Sequence, residues 1–249
     1  MPSRPFILRP ATLSDIPQMT HIVIAAYSPS PVSDFLHPHA KQYPRDQQIS
    51  VAQAVTKSYL NPHTLTLVVC SPESPDALLA YGMYSRKGVD SGVQKFVNER
   101  NGLERLGRWM LTSILTVLFA VYNYFRPDRA TSKPNRAVFN HSIKIDQERY
   151  WSPEAFPRRR NRWHVNSIVV LPEYQGKGIG KLLMEYILER AGKEKVPAGL
   201  TASIEGEKLY RKVGFRMLGD FYTRVGRQHA EGGGHMIWWP EGVEKDGDY

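Results

Sequence analysis

One cysteine, Cys70, stands in a chain of 249 residues. It cannot close an intramolecular disulfide or furnish the paired thiolates of the usual zinc sites, so a disulfide-stapled secreted domain and a zinc-dependent nucleic-acid binder are set aside. No metal is expected. Long hydrophobic runs are scarce too. The most apolar stretch, Leu111 to Val121, is shorter than the ~20 residues that cross a bilayer and contains Thr112, Ser113 and Thr116, so no membrane span is expected. The N-terminus has neither the apolar core of a secretory leader nor the Arg/Ser-rich character of a transit peptide, which makes the cytoplasm the expected compartment, with the nucleus left open. Helix-turn-helix and RNA-recognition patterns are lacking, and nucleic acid is not expected as a partner.

What is present reads as a folded globular chain: 41% hydrophobic and 23% charged residues, long enough to bury one good core. The net charge of +9 suits nucleic acid, an anionic surface or a polyanionic small ligand, and by itself does not choose among them. The densest basic run, Arg158-Arg159-Arg160-Asn161-Arg162, reads first as a solvated loop.

The most informative segment is Tyr174-Gln175-Gly176-Lys177-Gly178-Ile179-Gly180. Before it, Trp163 to Val170 is a β-rich run stopped by Leu171-Pro172. After it, Ile179, Leu182, Leu183, Tyr186, Ile187 and Ala191 recur at helical spacing. A helix therefore starts at the glycines. Its first N–H groups lack intrahelical partners and carry partial positive charge, so an anionic diphosphate can accept from them while the glycines permit close approach. Lys177 and Lys181 add positive charge nearby. A plain structural turn is the competing reading of such a loop.

The string Gln175-x-x-Gly178-x-Gly180, following Val-Val-Leu-Pro-Glu-Tyr, resembles the acyl-CoA-binding segment of the GCN5-related N-acetyltransferase (GNAT) superfamily. Leu209-Tyr210-Arg211-Lys212-Val213-Gly214-Phe215 is similar to that family's late Leu-Tyr-x-Lys-x-Gly-Phe segment, preceded by Ser203-Ile204-Glu205-Gly206. Ile7 to Thr12 reads as an opening strand running into a helix with a Thr12-x-x-Asp15 capping box. The resemblance covers roughly residues 6 to 88 and 163 to 240.

The resemblance implies an α/β (α+β) acyl-CoA N-acyltransferase fold with a mixed central sheet flanked by helices, and acetyl-CoA as co-substrate. Donor holding falls to Gln175, Gly176, Lys177, Gly178, Ile179, Gly180 and Lys181, to the edge of Ile168, Val169 and Val170, and to Ser203 and Gly206. A backbone N–H near Ile168, where the family splays its central strand, is the implied oxyanion donor. Tyr210 matches the tyrosine that protonates the departing thiolate, its alternative being a packing role. His164 and Asn166 fall where aralkylamine N-acetyltransferases carry two histidines, and only the first matches. His164 is a candidate base, with Glu205 and Asp34 as carboxylate alternatives and a structural histidine as the bland reading. Period-two alternation puts His164, Asn166 and Ile168 on one face. Asp34, Phe35, His37 and Asn166 are candidate acceptor-pocket residues.

One domain over 1–249 is expected, with a helical insertion at about 89–160 and a charged tail at 241–249. Expected elements are a helix over Asp15 to Tyr27 stopped by Pro29 and Pro31, a weaker helix from about Asp46 to Leu60, a hairpin of Leu65–Cys70 and Ala77–Tyr84, one long helix from about Gln94 to Phe125 and a final strand at His235–Trp239. Within the long helix, Trp109, Met110, Ile114, Val117, Leu118, Val121 and Tyr122 form a wide apolar stripe, expected to pack on its own domain, a dimer face or a membrane-surface face being the alternatives.

The leading functional expectation is transfer of an acetyl group to the primary amine of a small molecule by a monomer or homodimer. A protein lysine or N-terminal acetyltransferase is the alternative within enzymes, and a non-catalytic acyl-CoA sensor or adaptor the alternative outside them.

Overall fold

The computed structural model describes residues 6–28, 30–224 and 232–247. Pro29 and the last two residues of the tail lie outside them. In chain order the elements are β1 (Ile7–Pro10), α1 (Ile16–Tyr27), α2 (Pro31–Leu36), α3 (Pro44–Leu60), β2 (Thr64–Ser71), β3 (Ser74–Lys87), α4 (Ser91–Asn98), α5 (Gly102–Phe125), α6 (Lys133–Trp151), β4 (Arg162–Val170), α7 (Ile179–Glu194), β5 (Ala198–Ala202), α8 (Ile204–Lys212), β6 (Arg216–Gly219) and β7 (Gly234–Trp238).

All the described strands join one sheet in the order β1-β2-β3-β4-β5-β7-β6, antiparallel except for the parallel pair β4–β5. The β2–β3 hairpin closes through Ser71 and Ser74, as the Pro-rich turn predicts. One face of the sheet is covered by α7, which buries Ile179, Leu183, Met184, Ile187 and Ala191, and by Tyr210 of α8. The Tyr84 hydroxyl reaches up from β3 to donate to the Leu183 carbonyl at 2.9 Å. The opposite face is covered by α1 and α3 through Met19, Ile22, Val55 and Tyr59, and farther along by Tyr150 and Trp151 of α6 against Ile237. At the chain's start, the Asp15 carboxylate accepts from the Thr12 amide at 2.7 Å and pairs with Arg9 at 2.8 Å, so the capping box also ties α1 to β1.

Two expectations are corrected. The single helix over 94–125 is two helices: Asn101 accepts from the Glu104 amide at 2.7 Å and caps a new start, so α4 and α5 are separate. Within the 89–160 stretch, where a helical insertion is expected, the 19-residue α6 follows, capped by Ser132 with Pro134 in its first turn. The basic run is not a solvated loop. Arg159 and Arg162 are buried, Arg159 pairing with Asp246 at 2.7 Å, while the Arg158 guanidinium donates to the Lys245 carbonyl at 2.7 Å. These arginines pin the tail against the sheet.

Candidate active site

The sheet opens between β4 and β5. Their parallel pairing covers only Trp163–Val165 against Ala198–Leu200, after which β4 continues along β3 to Val170 and β5 continues along β7 to Ala202. Residues 166–170 therefore pair on one edge and present the other edge to a wedge. The register adds a bulge: Met83 faces Ser167 and Tyr84 faces Val165, leaving Asn166 as the extra residue.

That bulge corrects the period-two reading. Trp163 and Val165 pack on the α7 side, and so do Ile168 and Val170, while Val169 packs on the α1 side. His164 and Ile168 thus point to opposite faces. Asn166 is exposed at the bulge and donates to the Ser85 hydroxyl at 2.6 Å.

Below the wedge lies the glycine turn. Gly176 and Gly178 have φ of 75° and 86°, a left-handed backbone that favours glycine, and a Cβ at either would meet nothing within 4 Å. Gly178 is the N-cap of α7 and brings no side-chain cap, so the first amides of that helix face open space. An uncapped helix start of this kind is an arrangement that can accept an anion. Gln175 braces it by donating to the Val170 carbonyl at 3.2 Å, and Lys177 lies over the Tyr174 ring at 4.6 Å. Lys181 is exposed and paired with Glu185 at 3.3 Å. Gly180 has a packing task as well: a Cβ there would sit 2.9 Å from Leu209. Ile179 is fully buried and anchors the turn.

On the far side of the wedge, Ser203 caps α8 by accepting from the Gly206 amide at 3.1 Å. The Tyr210 ring fills the space beside Gly206, where an added Cβ would stand 3.1 Å from it. Burial pushes the Tyr210 phenol well above its usual pKa, and the nearby Tyr27 hydroxyl adds to the shift. Burial also raises the Tyr81 phenol, and Tyr27 adds to that shift. Tyr27 of α1 thus stands within electrostatic reach of Tyr81 of β3 and of Tyr210 of α8. Sequence reasoning missed Tyr27 and Tyr81; the only available signal was the aromatic in the expected β3 strand.

His164 is half-buried, edge-on to Trp151 at 5.6 Å, with its Nδ1 unpartnered. Burial, reinforced by Arg162, Lys87 and His235, lowers its pKa to about 3. It is neutral at any working pH and a weak proton acceptor, which removes the reason for choosing it as base. Glu205 is exposed in the first turn of α8, and Asp34 is exposed on α2. Phe35 and His37 are brought together with α6: the Phe35 carbonyl accepts from Asn135 at 2.7 Å, and His37 Nδ1 lies 2.8 Å from the Thr131 hydroxyl. A buried polar set was also missed, with Asp146 of α6 at 3.3 Å from His235 Nε2 of β7, and His235 Nδ1 at 3.2 Å from Thr201 of β5. Among the described residues no cluster of His, Cys, Asp and Glu is close enough to hold a metal.

Residues 145–217 match the family model described as an acetyltransferase (GNAT) domain, a span that contains β4, the glycine turn, α7 and α8. Over that span the chain is similar to GNAT acetyltransferase domains. A protein from Stachybotrys chartarum named Acetyltransferase is 22% identical over 223 residues, covering 89% of this chain and 86% of its own. Among solved structures, the histone acetyltransferase HPA2 and related acetyltransferase from Corynebacterium glutamicum aligns with a TM-score of 0.57 at 14% identity, covering 97% of this chain and 99% of that one. PH1933 from Pyrococcus horikoshii aligns at 0.50 and 11% identity, covering 95% and 99%. These two likenesses establish the GNAT fold. The match to an acetyltransferase domain and the likeness to a protein named Acetyltransferase make this chain an acyltransferase, with acetyl-CoA as co-substrate.

Proposed function

We propose that this GNAT domain transfers the acetyl group of acetyl-CoA to the primary amine of a small molecule by direct attack on the thioester. The observation that carries the reading is the one-sided edge of β4 at 166–170, opening directly onto the glycine cradle of α7. Acetyl-CoA supplies an activated acetyl group, and the remaining tasks belong to the chain. The amides of Gly176 to Lys181 bind the diphosphate, and the free edge of Ile168 to Val170 pairs with the amides of the donor's arm. A backbone N–H of that edge donates to the thioester oxygen as charge develops there. Tyr210 of α8, protonated at neutral pH, gives its proton to the departing thiolate, and the burial that raises its phenol makes this transfer harder than from a free tyrosine.

Deprotonation of the amine is assigned to water entering from the α1 side, with Glu205 as the carboxylate alternative, because His164 is too weak a base. A compact acceptor is favoured by the cover over that side: the Ser132 amide donates to the Leu36 carbonyl at 3.0 Å, and with the Asn135 and His37 contacts this holds α2 against α6.

The test is calorimetric titration with acetyl-CoA, followed by thiol release against a panel of small amines and of lysine-bearing and N-terminal peptides. Binding with release driven by small amines supports the proposal. Release driven only by peptides transfers the reading to a protein acetyltransferase, and binding without release under any acceptor favours a sensor.

A further inference from the structure

The apolar stripe of α5 stays exposed instead of packing on its own domain, whereas the polar set of Asp146, His235 and Thr201 is assembled in full from three elements. Thr201 of β5 lies directly opposite His235 of β7, its hydroxyl 3.2 Å from the ring Nδ1. On the other edge of the ring, Nε2 stands 3.3 Å from the Asp146 carboxylate of α6. That carboxylate is itself held in place, accepting from the Tyr222 amide at 2.9 Å. The ring is clamped as well: Tyr150 stacks on it at 4.7 Å, and Phe221 meets it at 5.8 Å.

Burial is graded along the set. Asp146 and His235 are each 3% exposed, while Thr201 is open to solvent. A carboxylate at the bottom, an imidazole between and a hydroxyl at the surface is the order in which a proton relay runs. The β4–β5 seam ends at the pair Val165–Leu200, so Thr201 is the first residue of β5 on the wedge. It shares the sheet face of His235 and Ile237, the side covered by α6 and α1 and opposite α7.

Electrostatics favour His235 over His164 as the place where a proton ends. His164 faces Arg162 and Lys87, which oppose its charging, whereas His235 has the Asp146 carboxylate beside it to hold an imidazolium. Burial lowers the His235 pKa from its ordinary value, Asp146 works against that shift, and Arg149 of α6 adds to it. The remaining titratable neighbours of the ring are Tyr150 of α6 and His164 of β4. The ring is therefore neutral at neutral pH. Beside a carboxylate its one proton belongs on Nε2, which leaves Nδ1 to accept from Thr201.

We propose that Thr201, His235 and Asp146 form the relay that takes the proton of the acceptor amine, with Thr201 as its water-accessible end. The inference rests on the acetyl-transfer reading and gives a destination to the proton that water carries on the α1 side. As the bond from nitrogen to the acetyl carbon forms, the attacking nitrogen becomes acidic. Its proton passes through that water to the Thr201 Oγ, the Thr201 proton moves to His235 Nδ1, and Asp146 balances the imidazolium. The C–S bond breaks as Tyr210 protonates the sulfur, and proton exchange with solvent restores His235 and Tyr210. Thr201 and Asp146 act through His235 and are positioning residues.

Acceptor-dependent thiol release and acetyl-CoA titration are to be measured for the full chain and for Thr201→Val, Thr201→Ser and Asp146→Asn. Valine keeps the shape and strand preference of threonine and removes the hydroxyl, whereas serine keeps the hydroxyl and loses the branch. Thr201→Val should lose at least about tenfold in kcat and Thr201→Ser should retain most of it, acetyl-CoA affinity staying within about twofold in both. A packing role for Thr201 predicts the reverse order. Asp146→Asn removes the charge that raises His235, so the acid limb of kcat, lying below pH 6.5, should move to lower pH. Parental kcat in Thr201→Val, a loss confined to the serine variant, or a limb that Asp146→Asn leaves in place overturns the relay while the acetyl-transfer reading stands. A parent that releases no thiol with any acceptor overturns the acetyl-transfer reading, and the relay with it.

Discussion

At the scale of single residues, the site depends on two side chains whose burial pushes them in opposite chemical directions. Burial raises the Tyr210 phenol, which stays protonated at neutral pH but is a weaker acid than a free phenol, so its proton transfer must be coupled to departure of the thiolate. Tyr210→Phe should lower kcat about a hundredfold, within the range for loss of a general acid, while leaving acetyl-CoA affinity within about twofold. Steady-state kinetics with calorimetry checks both, and unchanged turnover would make Tyr210 a packing residue. His164 is held neutral, its pKa falling from 6.5 to about 3. Two consequences follow from the sign of that shift. The rate should rise with pH toward the pKa of the acceptor amine with no inflection near 6.5, read from a pH profile of kcat/KM. The unfolded chain binds a proton at this position below pH 6.5 and the native chain does not, so stability is full above that pH and falls as the pH drops toward 3. His164→Gln should flatten that acid limb in urea titrations, and an unchanged limb would place the proton uptake elsewhere.

At the scale of elements, the decisive one is the N-terminus of α7, and its glycine allows a clean test. Gly178 has φ of 86°, so any side chain there is strained by about 1 kcal/mol, alanine as much as glutamate. Only glutamate adds a carboxylate where the diphosphate would lie. Gly178→Glu should therefore weaken acetyl-CoA binding at least about tenfold more than Gly178→Ala does, the two variants having similar melting points. Calorimetry reads the difference, and equal affinities would remove the cradle. What the sequence made legible follows the same division by element. The glycine turn, α7, the hairpin and the capping box are local patterns, with every defining residue within a few positions, and they appear where the residues point. The Asn166 bulge leaves no such mark, because it is set by the registers of β3 and β4 together, and it turned His164 and Ile168 to opposite faces. The set Asp146, Thr201 and His235 is likewise assembled from three distant elements. The break at Asn101 and the Ser132 cap were written in the chain as ordinary cap residues, and the continuous apolar stripe overrode them.

At the scale of the whole molecule, the sheet is two blocks joined by a short seam. β1 to β4 form one antiparallel set and β5, β7 and β6 another, and between them only three residues of β4 pair with three of β5. The wedge beyond that seam is lined by β4 and α7 on one side and by α8 on the other, so a ligand seated in it touches both blocks. Ligand and seam then act on the same equilibrium, because unfolding either block destroys the binding site. Acetyl-CoA at a hundredfold excess over its Kd should stabilise the fold by about 2.7 kcal/mol. For a chain of this size that corresponds to a rise in Tm of roughly 5–10 °C. Thermal denaturation with and without acetyl-CoA measures it, and Gly178→Glu at the same concentration should show a much smaller rise. A parent whose Tm does not move at saturating acetyl-CoA would mean that the donor does not bridge the two blocks, and the wedge would lose its part in donor binding.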